Sequence, residues 1–198
     1  MLCGVLLLAG AAGITGYNII EEKKADQAAA QTAEALAALI PDRTAADNSE
    51  VQTDAGNLTE ENPAETTQTI TLDGKAYIGL ISIPAIGITL PVNSTWNYTL
   101  LMQAPCCYQG SVRDNDLIIA GHNFNRHFGL LKTLKSGDEV TFTDTDGYVY
   151  HYTVTEIDTL DGYDVDGMTS GDWDLTLFTC TIGGVNRVTV RCRKTADA

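Results

Sequence analysis

The sequence predicts an all-β domain set behind a helical N-terminal region and an acidic linker. Three observations carry this reading: an uncharged apolar stretch opens the chain, a polar acidic stretch follows, and short strand-like runs divided by turn residues fill the remainder. With 198 residues and 44% hydrophobic side chains, the chain can build one ordinary domain with a core, plus appendages.

Residues 1–20 (MLCGVLLLAGAAGITGYNII) hold no charged side chain, and only Thr15, Tyr17 and Asn18 interrupt them as polar residues. As a helix rising ~1.5 Å per residue this stretch spans roughly 30 Å, the thickness of a bilayer's hydrocarbon core. It exceeds the roughly 7–15 apolar residues of a signal peptide, and no clear A-x-A site precedes a polar mature start. Cys3 precedes the apolar run, which does not suit a lipoprotein. We therefore expect a single-pass transmembrane anchor at 1–20. No basic residue precedes Leu2, whereas Lys23 and Lys24 follow the span beside Glu21 and Glu22. The positive-inside rule thus gives no clear orientation, and a short basic leader is expected upstream of Met1.

Residues 21–41 are rich in Ala, Glu, Lys and Gln, good helix formers, and end at Pro41, so a helical stalk is expected there. Residues 42–70 are acidic, polar and nearly free of large apolar side chains. Such a stretch buries too little surface to offset its ordering entropy, and a flexible linker is expected. The layout of anchor, stalk and tether holds a domain, residues 71–198, off a membrane surface.

Within that domain the strand-like runs are 77–83, 86–92, 116–120, 138–142, 148–157, 174–179 and 187–192. Turn signals at Pro84, Gly87, Gly137, Gly147 and Gly183-Gly184 separate them, and short helices fit only around 95–102 and 128–133. Many short strands with few helices indicate a barrel or sandwich. Charge narrows the function. The chain has 12 Lys and Arg against 26 Asp and Glu, a net charge of -14, which opposes nucleic-acid binding. The five cysteines (Cys3, Cys106, Cys107, Cys180, Cys192) form no CxxC pair, no spaced metal set and no disulfide framework. An odd number in a secreted chain leaves at least one thiol free, unless it pairs between chains.

Three strand ends carry reactive groups. The run Leu117-Ile118-Ile119-Ala120 stops at Gly121-His122, Leu175-Thr176-Leu177-Phe178-Thr179 stops at Cys180, and Asn186-Arg187 opens the last strand. Strand ends are where a rigid scaffold hands side chains to a cleft. Taken singly, a strand-end cysteine reads as a small buried hydrophobe, a histidine after glycine as a turn residue, and an arginine at a strand start as a solvated edge charge.

Together these residues resemble the sortase family. Thr176-Leu177-Phe178-Thr179-Cys180 is similar to that family's TLxTC signature, Ala120-Gly121-His122 to its strand-end histidine, and Arg187 to the arginine that opens its next strand. The stretch 83–92 (IPAIGITLPV) resembles the family's IPxIGxxLPV segment. Residues 98–111 are similar to its LxxGPGHYxGS segment, with Cys106-Cys107 in place of Gly-His, and 128–140 to its F..L..L..GD run. The likeness spans about residues 75–194. It implies an eight-stranded β-barrel and a cysteine transpeptidase, with His122, Cys180 and Arg187 as catalytic residues and Thr179 and Ala120 as substrate contacts. It further implies secreted proteins bearing an LPxTG-like C-terminal sorting signal as substrates, a peptidoglycan precursor or pilin lysine as amine acceptor, and an extracellular catalytic domain at the cell membrane.

The chemistry suits these residue types. A thiolate is the nucleophile of thioester formation, an imidazole can accept its proton and later protonate the leaving amine, and a guanidinium stays charged while it stabilises an oxyanion. Arg191 competes with Arg187, since both share a face of a period-2 strand; Arg187 is preferred as nearer the loop mouth. His127 is expected to be solvated, His151 structural, Cys192 a core residue, and Cys106 and Cys107 loop or packing residues. The acidic loop 161–166 has oxygen ligands of the kind Ca²⁺ takes but lacks an EF-hand pattern, so no cofactor is expected and a solvated loop is preferred. A hydrolytic cysteine peptidase and a non-catalytic surface β-domain are the rival readings.

Overall fold

Strands form where β-branched and aromatic residues cluster, and they close on themselves. In the computed structural model of the chain, which describes residues 2–43 and 68–195, the elements run in this order. Helix α1 (Leu2–Ala37) comes first, followed by β1 (Ile70–Leu72), β2 (Lys75–Ile83), β3 (Ile88–Asn93), α2 (Tyr98–Leu101), β4 (Cys106–Gln109) and β5 (Leu117–Ala120). Then come β6 (Glu139–Asp144), β7 (Val149–Asp161), α3 (Val165–Thr169), β8 (Leu175–Cys180) and β9 (Asn186–Lys194). The sheet order is β2-β3-β4-β5-β8-β9-β7-β6, and β6 pairs back onto β2 to give the expected eight-stranded barrel. Strand β1 is a ninth, short strand that forms a hairpin with the start of β2.

Closure depends on a glycine. Gly79 lies opposite Asp144 of β6, at φ 151°, and a Cβ there would stand 2.1 Å from the carbonyl oxygen of Thr143. Only a residue without a side chain lets β2 bond to β3 and β6 at once. The β2–β3 register also shifts between Tyr77 and Gly79, a bulge that bends the strand into the ring.

Alternation sorts the barrel walls into two faces. Ile81, Val92, Leu117, Ile119, Val140, Phe142, Tyr152, Val154, Leu175, Leu177, Val188, Val190 and Cys192 point into the main core. A smaller apolar cluster of Ile118, Ala120, Phe178 and Met168 lies on the outer face of β5 and β8. Strands β5 and β8 are therefore covered on both faces, which explains why each reads as a continuous apolar run rather than an alternating one.

The seven predicted strand runs all correspond to strands, with starts displaced by one or two residues. Residues 84–86 form a 3-10 turn ended by Gly87 in the left-handed region, so β3 begins at Ile88 rather than at residue 86.

The N-terminal helix departs from expectation. Helix α1 runs without a break from Leu2 to Ala37, and its later part lies on the barrel, with Ala29, Ala33 and Leu36 buried. Their spacing places them on one helical face. Asp26 meets Arg126 of the barrel at 3.8 Å. The stretch expected as a stalk is thus packed against the domain over this length. Among the described residues no helix is long and apolar enough to cross a membrane, so the predicted transmembrane helix gains no support. Most side chains of 1–20 fall outside the described residues, as does most of the predicted linker at 42–70.

Candidate active site

The site is assembled by strand register. Strands β5 and β8 run parallel with Ala120 opposite Phe178, and Gly121 continues the ladder by donating to the Phe178 carbonyl at 3.0 Å. His122 and Cys180 each lie two residues beyond that paired level, on neighbouring strands whose spacing is about 4.8 Å. Strand β9 runs antiparallel to β8 and sets Arg187 directly opposite Cys180. Opposed residues of an antiparallel pair project from the same face. His122, Cys180 and Arg187 therefore lie at the same end of β5, β8 and β9, although 65 positions separate the first from the last in the chain.

The loop carrying His122 is tightly folded. Phe128 donates to the His122 carbonyl at 3.1 Å, and His127 and Gly129 both donate to the Phe124 carbonyl, at 3.0 and 2.9 Å. The His122 ring lies on the Phe124 ring, with centroids 3.9 Å apart. Gly121 has no room for a side chain, since a Cβ would fall 2.3 Å from the Phe128 ring. Asn123 reaches the Thr181 carbonyl at 3.5 Å and links this loop to the one after Cys180. That second loop is pinned where Thr181 and Asn186 exchange backbone and hydroxyl bonds.

The sequence profile described as the sortase domain matches residues 81–195, more than half of the chain. The chain belongs to the sortase family. It is 32% identical over 134 residues to sortase A of Bacillus anthracis, covering 64% of this chain and 62% of that protein's own length. Among solved structures, it is similar to sortase C1 from Streptococcus agalactiae, with 29% identity, a TM-score of 0.56, and coverage of 65% of this chain and 72% of the other. A Clostridium perfringens sortase D5 transpeptidase shares the fold at 24% identity and a TM-score of 0.53, over 61% of this chain and 79% of that one.

Within the sortase barrel the two candidate arginines have different surroundings. Arg187 is half-buried and donates from Nη1 to the carbonyls of Gly184 (2.9 Å) and Asn186 (3.1 Å); among the described residues its other donors are not engaged. Arg191, only 5% exposed, lies four residues further along β9, opposite Thr176. It donates to the carbonyls of Met168 (2.7 Å) and Gly167 and to the Thr176 hydroxyl (3.0 Å). Register therefore separates the two: Arg187 faces the cysteine, and Arg191 is committed elsewhere.

Ala120 shares the outer face and lies within the small apolar cluster there. Thr179 does not join the group. It alternates to the face opposite Cys180, is 3% exposed, and its hydroxyl is buried without a partner among the described residues. His127, expected in solvent, is fully buried against Phe124, with ring centroids 5.6 Å apart. Burial, then the nearby His122, push its pKa down to about 4. The flanking Arg126 gave the misleading signal: it points outward to Asp26 while the next residue turns under the loop.

Of the other thiols in this sortase, Cys106 and Cys192 are buried, and burial raises their pKa values to about 11 and about 12. Burial also raises Cys107. Cys180 is partly exposed at the strand end. His151 lies away from the site, 3.2 Å from Glu139 on the β6–β7 pair. In the acidic loop, Asp161 accepts from the Tyr163 amide and Asp164 caps α3 by accepting from the Gly167 amide at 2.8 Å. Among the described residues no group of three or more His, Cys, Asp or Glu side chains is arranged to hold a metal.

Proposed function

We propose that this sortase is a transpeptidase that cleaves a C-terminal LPxTG-like sorting signal and transfers the protein to an amine. What supports this reading most is the cross-strand pairing of Cys180 with Arg187, with His122 at the matching level of the next strand. Cys180 sulfur attacks the carbonyl carbon of a Thr–Gly-like bond. The negative charge that develops on oxygen is stabilised by Arg187, which strand register sets opposite Cys180 and whose remaining donors are unengaged among the described residues. His122 supplies a proton to the leaving Gly amine as the C–N bond breaks, leaving a thioester. An incoming amine then attacks that thioester, loses a proton to His122, and releases the Cys180 sulfur as an amide forms. Ala120, on the same face two residues before His122, is the substrate contact this reading keeps, whereas Thr179 is buried on the opposite face.

The acceptor is an amine of a peptidoglycan precursor or a pilin lysine, and the donors are secreted proteins carrying the signal. Residues 1–20, uncharged and apolar, attach the enzyme to the cell membrane, and action on secreted substrates puts the barrel outside. Adding a simple amine such as triglycine to a cleavage assay tests the transfer step. Amide product should rise with amine concentration at the expense of free acid; acid alone at every concentration would support a hydrolytic peptidase instead.

A further inference from the structure

The mechanism leaves one buried cation without a role. Arg191 has no salt bridge among the described residues, and its three acceptors are uncharged. Two are the carbonyls of Gly167 and Met168 in α3, and the third is the Thr176 hydroxyl on β8. Helix α3 has five residues, one of them glycine, which is far too short to hold itself together. Its first turn is capped by Asp164, while carbonyls near its end would be orphaned without a donor. The Arg191 guanidinium meets two of them, and a cation suits the negative end of a helix.

What α3 carries explains why its position matters. The Met168 side chain is buried among Ile118, Ala120 and Phe178 on the outer face of β5 and β8, with Leu101, Tyr108 and Leu160 packed around it. Phe178 and Cys180 follow each other along this same face, as do Ala120 and His122 along β5. The opposite face is filled by the main core. A peptide that reaches Cys180 must therefore approach over the outer face, where Met168 and α3 form a wall.

We propose that Arg191 is a positioning residue for the acyl donor, holding α3 and Met168 against β5 and β8 and so fixing the groove that leads to Cys180. This rests on the transpeptidase reading. The fork geometry matters, because a lysine cannot meet two carbonyls and a hydroxyl from one rigid plane.

The test compares Arg191→Met, Arg191→Lys and Met168→Ala in cleavage of a sorting-signal peptide, alongside alkylation of Cys180 by iodoacetamide, a probe too small to need the groove. Arg191→Met should raise KM about tenfold or more, with kcat and the alkylation rate within about twofold of wild type, because uniform donor binding is lost rather than transition-state contacts. Arg191→Lys should fall between. If Arg191→Met does not fold, Met168→Ala decides, with the same rise in KM expected. An unchanged KM in folded variants overturns the proposal, as does a parallel fall in kcat and alkylation, which would put Arg191 in contact with the reaction. Cleavage that survives Cys180→Ala overturns the transpeptidase reading itself. Cleavage that needs Cys180 but ignores these variants overturns only the role given to Arg191.

Discussion

His127 shows how burial changes the chemistry of a single side chain. Free histidine titrates near 6.5, whereas this one is pushed down to about 4 by burial and by His122 beside it. Between those pH values the unfolded chain binds a proton that the folded protein does not. Stability therefore falls as pH drops from about 6.5 to about 4 and levels off below. The shift caps the contribution at about 3 kcal/mol. Urea unfolding at pH 7 and pH 4.5 should show a loss in the wild type that is smaller in His127→Leu, which has no proton to gain. Motif and strand end agree for Cys180 and His122, which makes them candidates on sequence alone. His127 was not legible, since a loop histidine next to an arginine carries no sequence mark of burial. The choice between Arg187 and Arg191 also needed the structure: period 2 says that they share a face, but only the β8–β9 register says which one faces Cys180.

At the level of elements, the loop from Gly121 to Gly129 is the part that sets the histidine. Its Phe128 ring lies against Gly121 and its backbone returns to the His122 carbonyl. Gly121→Ala should drive the Phe128 ring away, displace His122 and lower kcat/KM by about 10²-fold, the scale on which small misplacements of catalytic groups act. Steady-state kinetics with a sorting-signal peptide checks this, with far-UV circular dichroism to establish that the barrel persists. The strands that alternate or run apolar were readable, whereas the three-residue β1, β4 and α3 were not. Strand β4 is the four residues Cys106–Gln109, too short for a pattern between Pro105 and Gly110. Helix α3 lies in a loop of aspartates and glycine with poor helix propensity, and it exists through the Asp164 cap and the Arg191 bonds rather than through its own sequence.

For the whole molecule, the barrel count came from the family resemblance, since the sequence offers seven runs and pairing adds β4 to complete the ring. The helix expected over 21–41 is present, and its packing is what sequence does not show: Ala29 and Ala33 are small enough to let it approach the sheet closely, and Leu36 is fully buried. Leu36→Ala should therefore cost about 2–4 kcal/mol in denaturant unfolding, as for other buried leucines; a free stalk would lose nothing. The central claim concerns the reaction at the barrel's open end. It is tested most directly by mass spectrometry of the enzyme quenched in acid after mixing with a sorting-signal peptide. A thioester adduct of the N-terminal peptide fragment on Cys180, absent in Cys180→Ala and discharged by an added amine, is the expected result. Peptide cleavage by Cys180→Ala at the wild-type rate, with no adduct on either protein, would contradict it.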